Sequence, residues 1–184
     1  MSFIEKISLP DSITAIGEGA FIFCLVLENL DLLAGISKIG KYAFFECESL
    51  QRIVIPPNVK SIGEHTFFYC LSLREVVIPE GVTEIGDYAF CNCQRLRNVT
   101  IPASVNAIGY RALGWYESIS WAFGFTINGY TGSTAETYAR ENEIRFTSLG
   151  TLIPGNFNGD NSVDLKDVEL LRRCIAGGWN VTLQ

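Results

Sequence analysis

Histidine and basic residues are scarce in this sequence, and each scarcity excludes a class of function. His65 is the single histidine among 184 residues, so a catalytic triad or a histidine-rich zinc site has no second imidazole to use. The 14 lysines and arginines are outnumbered by 20 acidic residues, which gives a formal net charge of −6. A protein with this charge is not expected to bind by neutralising nucleic-acid phosphates or anionic lipid headgroups.

Long apolar runs are missing as well. No stretch approaches the roughly 20 apolar residues that a membrane-spanning helix needs. The opening residues, MSFIEKISLP, do not form a signal peptide, because Glu5 and Lys6 interrupt them and no apolar run with a small-residue cleavage site follows. Taken alone, this would place the protein in the cytosol, but the phase of the repeat described next predicts that the sequence begins inside a longer protein.

What the sequence does contain is a repeat in which the same residue types return at every twenty-third position. Ile-Gly pairs recur at this step, and so do columns of phenylalanine, cysteine and leucine. The columns are Ile16, Ile39, Ile62, Ile85 and Ile108; Phe21, Phe44, Phe67 and Phe90; Cys24, Cys47, Cys70 and Cys93; and Leu27, Leu50, Leu73 and Leu96. A fixed period of this size is typical of a solenoid, in which each unit buries its apolar edge by stacking on its neighbours. These columns are therefore expected to point inward.

Each repeat predicts one short strand, a turn and a short helical segment. Ile53 and Ile55 alternate as in a strand with one buried face, and Pro56 ends it because proline cannot donate to the ladder. Gly63 and its equivalents predict a turn that needs positive φ or a close backbone approach. The A-F-x-x-C stretch predicts a short helical turn on the opposite side of the coil. The predicted fold is a solenoid with one parallel strand per coil.

The stretch SIGEHTFFYCLSLREVVIPEGVTEIGDYAFCNCQRLRNVTIP resembles the BspA-type leucine-rich repeat family, found mostly in extracellular and surface proteins of gut and oral bacteria and of some protists. The resemblance covers about residues 4–114. It implies a leucine-rich-repeat solenoid that acts as a non-enzymatic binding or adhesion scaffold, outside the cell or at its surface. The ligands of the family vary, so the resemblance transfers no ligand-binding residue.

The repeat also provides an internal comparison for His65. Its column contains Gly19, Tyr42, Tyr88 and Arg111, and such a variable, polar column is typical of a solvent-facing turn. Because Cys70 belongs to an inward column, the two side chains are expected to face different ways and not to form a nucleophile and base.

The cysteine column predicts a ladder of buried thiols, since free cysteine packs well as a small apolar side chain. Disulfides are the alternative, because column mates on neighbouring coils would lie near the Cα separation that a bridge tolerates. A metal site is less favoured, since it would need C-x-x-C pairs. Cys91 and Cys174 lie outside the ladder and are assigned no role.

The two ends of the repeat differ. Counting back by one period places Ile4, Ile7 and Leu9 in phase with the later coils, so the sequence is expected to be part of a longer chain, because solenoids need capping units. Residues 1–148 are the predicted solenoid, with a cap at about 115–148. The aromatic residues of the cap are predicted to form its core, with a sugar-binding platform as the alternative; they are Trp115, Tyr116, Trp121 and Phe123.

Within the cap, the spacing slips and new elements are predicted. The step from Val99 to Phe125, and from Ile101 to Ile127, is 26 residues and so longer than one period. Ser133 begins a capping box, S-T-A-E, and predicts a helix that reaches about residue 142. Ile144 and Phe146 then predict a final strand.

After a predicted linker at 149–155, the segment NFNGDNSVDLKD predicts a calcium-binding loop. Side-chain oxygens stand at positions 1, 3, 5, 9 and 12 of a twelve-residue loop, with a backbone carbonyl at position 7; the residues are Asn156, Asn158, Asp160, Asp164, Asp167 and, for the carbonyl, Ser162. This is the spacing that wraps hard oxygen ligands around Ca²⁺. A plain polar turn is the alternative. The apolar spacing of LKDVELLRRCIA predicts a helix directly after the loop.

Residues 156–184 resemble a single repeat of a type I dockerin, a small EF-hand-like module with a calcium loop and a helix. The resemblance implies calcium-dependent binding to the cohesin module of a scaffoldin, with contacts from Leu165, Lys166, Arg172 and Arg173. Asn156 and Asn161 depart from the usual Asp and Gly of calcium loops. A dockerin normally has two such repeats, whereas this sequence ends after one. The expectation is therefore a truncated module or a weak one.

Together these patterns predict a non-catalytic, extracellular binding scaffold that a calcium-loaded dockerin attaches to a cohesin. Its ligand is expected on the outward strand columns, which are Asn29, Arg52, Glu75 and Asn98, with Asp31, Val54, Val77 and Thr100 beside them. A surface adhesin with a vestigial half-dockerin is the alternative. A fragment of a larger glycoside hydrolase is a third.

Overall fold

The computed structural model describes residues 7–116 and 124–151, in which successive repeat units stack as coils. The regular elements, in chain order, are β1 (Ala15–Ile16), β2 (Lys38–Ile39), β3 (Arg52–Val54), β4 (Ser61–Ile62), β5 (Glu75–Val77), β6 (Glu84–Ile85), β7 (Asn98–Thr100), β8 (Ala107–Ile108), β9 (Thr126–Thr131), α1 (Thr134–Glu141) and β10 (Arg145–Thr151). The predicted solenoid of parallel strands is confirmed.

The middle coils carry two short strands each, where the sequence predicted one. The expected ladder contains the β3–β5 pair and the order β7–β9–β10, and a second ladder contains the β1–β2 pair and the order β4–β6–β8. The strands of the second ladder consist of two residues each, with an exposed residue followed by a buried isoleucine in most coils. So short a run is not long enough to display a period of two, which is why the sequence pattern did not reveal it.

The A-F-x-x-C stretch is not helical, contrary to expectation. It is a series of tight turns in which alternate amides bond within the coil and to the next coil: Phe45 donates to the Tyr42 carbonyl (3.1 Å), whereas Phe44 donates to the Thr66 carbonyl (2.9 Å). Positive φ recurs within it, as at Tyr42 (58°) and Glu46 (54°). A left-handed residue interrupts an α-helix, so amides become available to join the coils.

The glycine of each Ile-Gly pair is needed for close approach between coils. A Cβ atom on Gly40 would lie 2.5 Å from the Glu18 nitrogen, and one on Gly86 would lie 2.8 Å from the Glu64 nitrogen. Neither glycine has positive φ. Of the two reasons that the sequence offered for this glycine, the close approach is the correct one.

The inward columns form one continuous core. The Phe44 ring stacks on Phe67 with centroids 5.2 Å apart, and Phe67 stacks on Phe90 at 5.1 Å. All three side chains are buried, as are the leucines of the column that contains Leu50 and Leu73. Each such side chain contributes about 1.5–3 kcal/mol by its removal from water, so the repeat of apolar residues is what stabilises the stack.

The cap extends the sheet by two strands. β9 pairs in parallel with β7, and Ile127 lies opposite Val99, whereas the spacing read from the sequence had matched Ile127 with Ile101. α1 begins after Ser133, whose hydroxyl accepts from the Glu136 amide, and ends at Asn142, as predicted. β10 pairs in parallel with β9 and continues to Thr151, into the predicted linker.

The aromatic interpretation of the cap is confirmed for Tyr116, which is buried and donates from its hydroxyl to the Cys93 carbonyl at 3.2 Å. Tyr138 of α1 is also buried and donates to the Leu113 carbonyl at 3.2 Å. Trp121 and Phe123 lie outside the described residues. Among the residues that the structure describes, no helix reaches the length and hydrophobicity of a membrane span.

Candidate functional site

The predicted calcium loop and docking contacts lie outside the described residues. This applies to the proposed ligands Asn156, Asn158, Asp160, Ser162, Asp164 and Asp167, and to the proposed contacts Leu165, Lys166, Arg172 and Arg173. The candidate functional surfaces that the structure does describe are therefore those of the solenoid.

The described cysteines are all buried free thiols, which confirms the predicted ladder over the disulfide alternative. Three of them donate to a phenylalanine carbonyl of the preceding coil: Cys47 to Phe21 (3.1 Å), Cys70 to Phe44 (3.3 Å) and Cys93 to Phe67 (3.2 Å). Burial raises the pKa of the Cys47 thiol to about 12, and it also raises the pKa of Cys70. Because the thiolate is the reactive form, these groups serve packing and not chemistry.

His65 occupies a different environment from the one predicted. Its ring is stacked between Tyr42 (centroids 5.1 Å apart) and Tyr88 (4.8 Å), and its side chain is only 19% exposed. His65 does lie in a turn at a position of positive φ, as predicted, but its ring belongs to a half-buried stack with the two tyrosines of its column and does not face solvent. The sequence did not predict this burial because tyrosine and histidine are polar residues whose ring faces can still pack; the Nδ1 atom of His65 is itself buried, 3.3 Å from a Glu64 carboxylate oxygen.

The outward strand face is exposed, as predicted. Arg52 and Glu75 form an ion pair at 3.1 Å, with both side chains about half exposed. Val54 and Val77 next to them are among the most exposed large apolar residues. Exposed ion pairs contribute little to stability, so this face is available for contacts with a partner but carries no distinctive chemistry.

A groove runs along the second ladder and was not anticipated. It has a volume of about 520 Å³, and four coils contribute its lining, from Lys38 to Gly109. Glycines Gly40, Gly63, Gly86 and Gly109 form its floor. Because a side chain on most of these glycines would meet the neighbouring coil, the same constraint that closes the stack leaves the floor bare.

The walls of the groove change charge along its length. Lys38 and Lys41 stand at one end, and Glu84 and Asp87 stand two coils further on. Lys41 is paired with Glu64 at 3.0 Å, and the hydrogen bond from Lys41 lowers the pKa of the Glu64 carboxyl. The groove is thus basic at the Lys38 end and acidic at the Glu84 end.

The sequence did contain a signal for this groove. The Ile-Gly pair is flanked by two variable columns: the one before the isoleucine is polar in three of five repeats, and the one after the glycine is polar in all of them. A row of glycines between two rows of longer side chains indicates a groove on a solenoid. These columns can be placed on one face only when the second ladder of strands is known.

Comparison with known proteins places the repeat in a family. The family model described as "BspA type Leucine rich repeat region (6 copies)" matches residues 1–120. No curated protein matches the chain.

Three of the solved structures that are similar to this chain are leucine-rich proteins. A leucine rich cell surface protein from Faecalibacterium prausnitzii is 35% identical, with a TM-score of 0.55, over 64% of this chain and 29% of the other. A leucine-rich repeat protein from Bacteroides ovatus is 27% identical, with a TM-score of 0.58, over 80% of this chain and 33% of the other. A leucine rich repeat protein from T. pallidum, 23% identical with a TM-score of 0.61, is similar in fold over 93% of this chain and 81% of the other. The chain spans about a third or less of the first two proteins.

Proposed function

Because the chain belongs to the BspA-type leucine-rich repeat family, we propose that it is a non-catalytic binding scaffold that acts at the cell surface and holds its ligand on the solenoid. The name of the F. prausnitzii relative, a leucine rich cell surface protein, supports the location. The observation that carries the proposal is that the thiols are buried in the core whereas the charged side chains lie on the surface. Buried thiols such as Cys70 are hydrogen-bonded in the core, while the charged side chains face outward in rows.

The test of this proposal compares two surfaces on the full chain. Immobilised polysaccharides, mucins and extracellular-matrix proteins serve as probes, and binding is measured by surface plasmon resonance. A groove variant combines Lys38→Glu with Glu84→Lys, and a strand-face variant combines Arg52→Glu with Glu75→Lys; both keep the net charge. We expect saturable binding that one variant loses and the other retains, with the probe recovered unchanged. Absence of binding to every probe, or chemical conversion of a probe, would contradict the proposal.

We propose, second, that residues 156–184 bind Ca²⁺ and dock to a cohesin module. It is supported by the oxygen ligands spaced as in a calcium loop, from Asn156 to Asp167. Calorimetric titration of the full chain with CaCl₂ is expected to give one site, and the Asp160→Ala, Asp164→Ala double variant is expected to lose it. An Asp11→Ala, Asp31→Ala variant, with two exposed solenoid carboxylates removed, serves as the control.

Docking is tested by cohesin capture with and without EDTA. Binding that EDTA abolishes supports the dockerin proposal, and binding that resists chelation contradicts it. If the Asp160→Ala, Asp164→Ala variant still captures the solenoid's ligand but no cohesin binds even the unaltered chain, the protein is an adhesin with a vestigial tail. The glycoside hydrolase alternative has no support beyond the dockerin resemblance.

A further inference from the structure

We propose that the groove along β2, β4, β6 and β8 binds a polyproline II peptide segment that carries one acidic and one basic side chain at positions i and i+3. The proposal rests on the proposed binding function and specifies its ligand. The charges of the walls, their separation and the bare floor of the groove support it.

The charges fix what the two ends of the ligand must carry. Lys38 is exposed at one end, whereas the neighbouring Lys41 is already paired with Glu64. Glu84 and Asp87 are both exposed in the same coil of the lining, where Asp87 Oδ1 also accepts from the Tyr110 amide at 2.7 Å. A ligand complementary to this groove therefore has an anionic group near Lys38 and a cationic group near the Glu84 and Asp87 carboxylates.

The separation of the two ends selects the backbone conformation of the ligand. Lys38 and Glu84 are two coils apart, and strands stacked in a sheet are about 4.8 Å apart, so the ends are separated by about 10 Å. Backbone hydrogen bonds join the successive coils of this stretch, from the Tyr42 amide to the Glu64 carbonyl (3.1 Å) and from the Thr83 amide to the Lys60 carbonyl (2.8 Å). The ligand's charged groups must lie on one side of its backbone at about this distance.

A polyproline II helix meets this requirement and an extended β-strand does not. In polyproline II, residues i and i+3 lie on the same face about 9 Å apart. In a β-strand, side chains on one face recur at roughly 6.6 Å or roughly 13 Å. Two coils of the solenoid therefore match one turn of polyproline II.

The floor and the far end of the groove suit the same ligand. The glycine floor leaves room for a backbone that carries no internal hydrogen bonds, and the exposed Ser61 hydroxyl of the wall is a donor for its carbonyl groups. One coil beyond Asp87, Tyr110 is 57% exposed and lies beside the Arg111 guanidinium, which is 4.8 Å from its ring centroid. Exposed aromatic rings are the usual contact for proline side chains.

The experiment measures the affinity of the full chain for four fluorescent peptides by anisotropy at low ionic strength. Two peptides have the charges at i and i+3 in both polarities, PPEPPKPP and PPKPPEPP. Two have them at i and i+2, PPEPKPPP and PPKPEPPP. We expect the better i,i+3 peptide to bind roughly tenfold more tightly than either i,i+2 peptide, a difference of about 1.4 kcal/mol, and the binding to weaken with added salt.

Charge reversal in the protein provides the matched control. The Lys38→Glu, Glu84→Lys double variant is expected to lose the preference between the two i,i+3 peptides, because Lys41 and Asp87 keep their charges and each end of the groove then carries both signs. The Arg74→Glu, Glu80→Lys variant makes the same exchange at exposed positions outside the groove and is expected to change neither affinity. Circular dichroism checks that each variant is folded.

Each outcome decides between the proposals. Equal affinity for all four peptides, or a preference that the Lys38→Glu, Glu84→Lys variant retains, overturns the peptide proposal. If no peptide binds while a polysaccharide or matrix protein is still captured, the ligand class is wrong and the binding function stands. If neither peptides nor immobilised probes bind, both proposals fail.

Discussion

At the scale of single residues, the fold depends on positions where a side chain is forbidden or fully enclosed. The glycine column illustrates the first kind, because neighbouring coils approach so closely that one additional carbon atom has no room. The thiol ladder illustrates the second, because a sulfur such as that of Cys70 is both buried and hydrogen-bonded to the coil before it. The glycine positions predict effects of substitution on stability, and the thiol positions predict an effect of pH on stability.

The first prediction compares alanine at Gly86 with alanine at Gly17. Gly86→Ala places a Cβ atom 2.8 Å from the Glu64 nitrogen, whereas a Cβ atom on Gly17 has nothing within 4 Å. We expect Gly86→Ala to lower the free energy of unfolding by about 1–3 kcal/mol, as overpacking does, and Gly17→Ala to leave it nearly unchanged. Urea denaturation followed by circular dichroism measures both. Equal effects of the two substitutions would contradict the close approach.

The second prediction is a dependence of stability on pH. Burial raises the pKa of Cys47 to about 12 from 9.0, so the unfolded chain loses this proton at lower pH than the folded protein. The thiol's contribution to stability is therefore complete below about pH 9 and is lost as the pH rises from 9 towards 12. Urea denaturation between pH 8 and 11 should show a decline that a Cys47→Ala variant shows less strongly. A stability that rises with pH in this range would contradict the buried thiol.

At the scale of elements, the sequence predicted best where a local chemical rule applies. The helix α1 was predicted from Ser133 to Asn142 and occupies that segment, because its capping residue and its boundaries are local features.

The third prediction concerns this cap: Ser133→Ala should lower the free energy of unfolding by about 1 kcal/mol. Thr137→Ala, at an exposed position of the same helix, should leave it unchanged or raise it slightly, because alanine is the better helix former. Thermal unfolding measures the difference, and equal effects would mean that the cap contributes nothing.

The elements that the sequence did not reveal are those decided by contacts between coils. The second ladder is built from strands of two residues, such as Ser61–Ile62, whose pairing depends on the neighbouring coil and not on local propensity. The sequence predicts a helix for the turn series containing Phe44, because apolar residues and cysteine are compatible with both a helix and a series of tight turns. The positive φ values distinguish the turns from a helix. The second ladder and the turns next to it form the groove. Because the sequence predicted neither, it did not predict the groove.

At the scale of the whole molecule, the repeat makes the protein a stack in which each coil is held by the next. Stability then resides mainly in the interfaces between coils. The buried columns contain the thiols and the phenylalanines, and the charged residues of the groove and of the strand face lie outside. A binding scaffold needs this division, because the surface side chains vary from coil to coil while the core stays the same.

The measurement that tests this account most directly is residue-by-residue amide hydrogen exchange of the full chain by NMR. The amides of Phe44, Phe67 and Phe90 donate to carbonyls of the following coil and lie under stacked rings, so they open only when the stack separates. We expect them to be among the slowest amides in the protein, with similar protection in all three coils. Exchange at these three positions as fast as at exposed loop amides would contradict the stacked solenoid on which the proposed binding function depends.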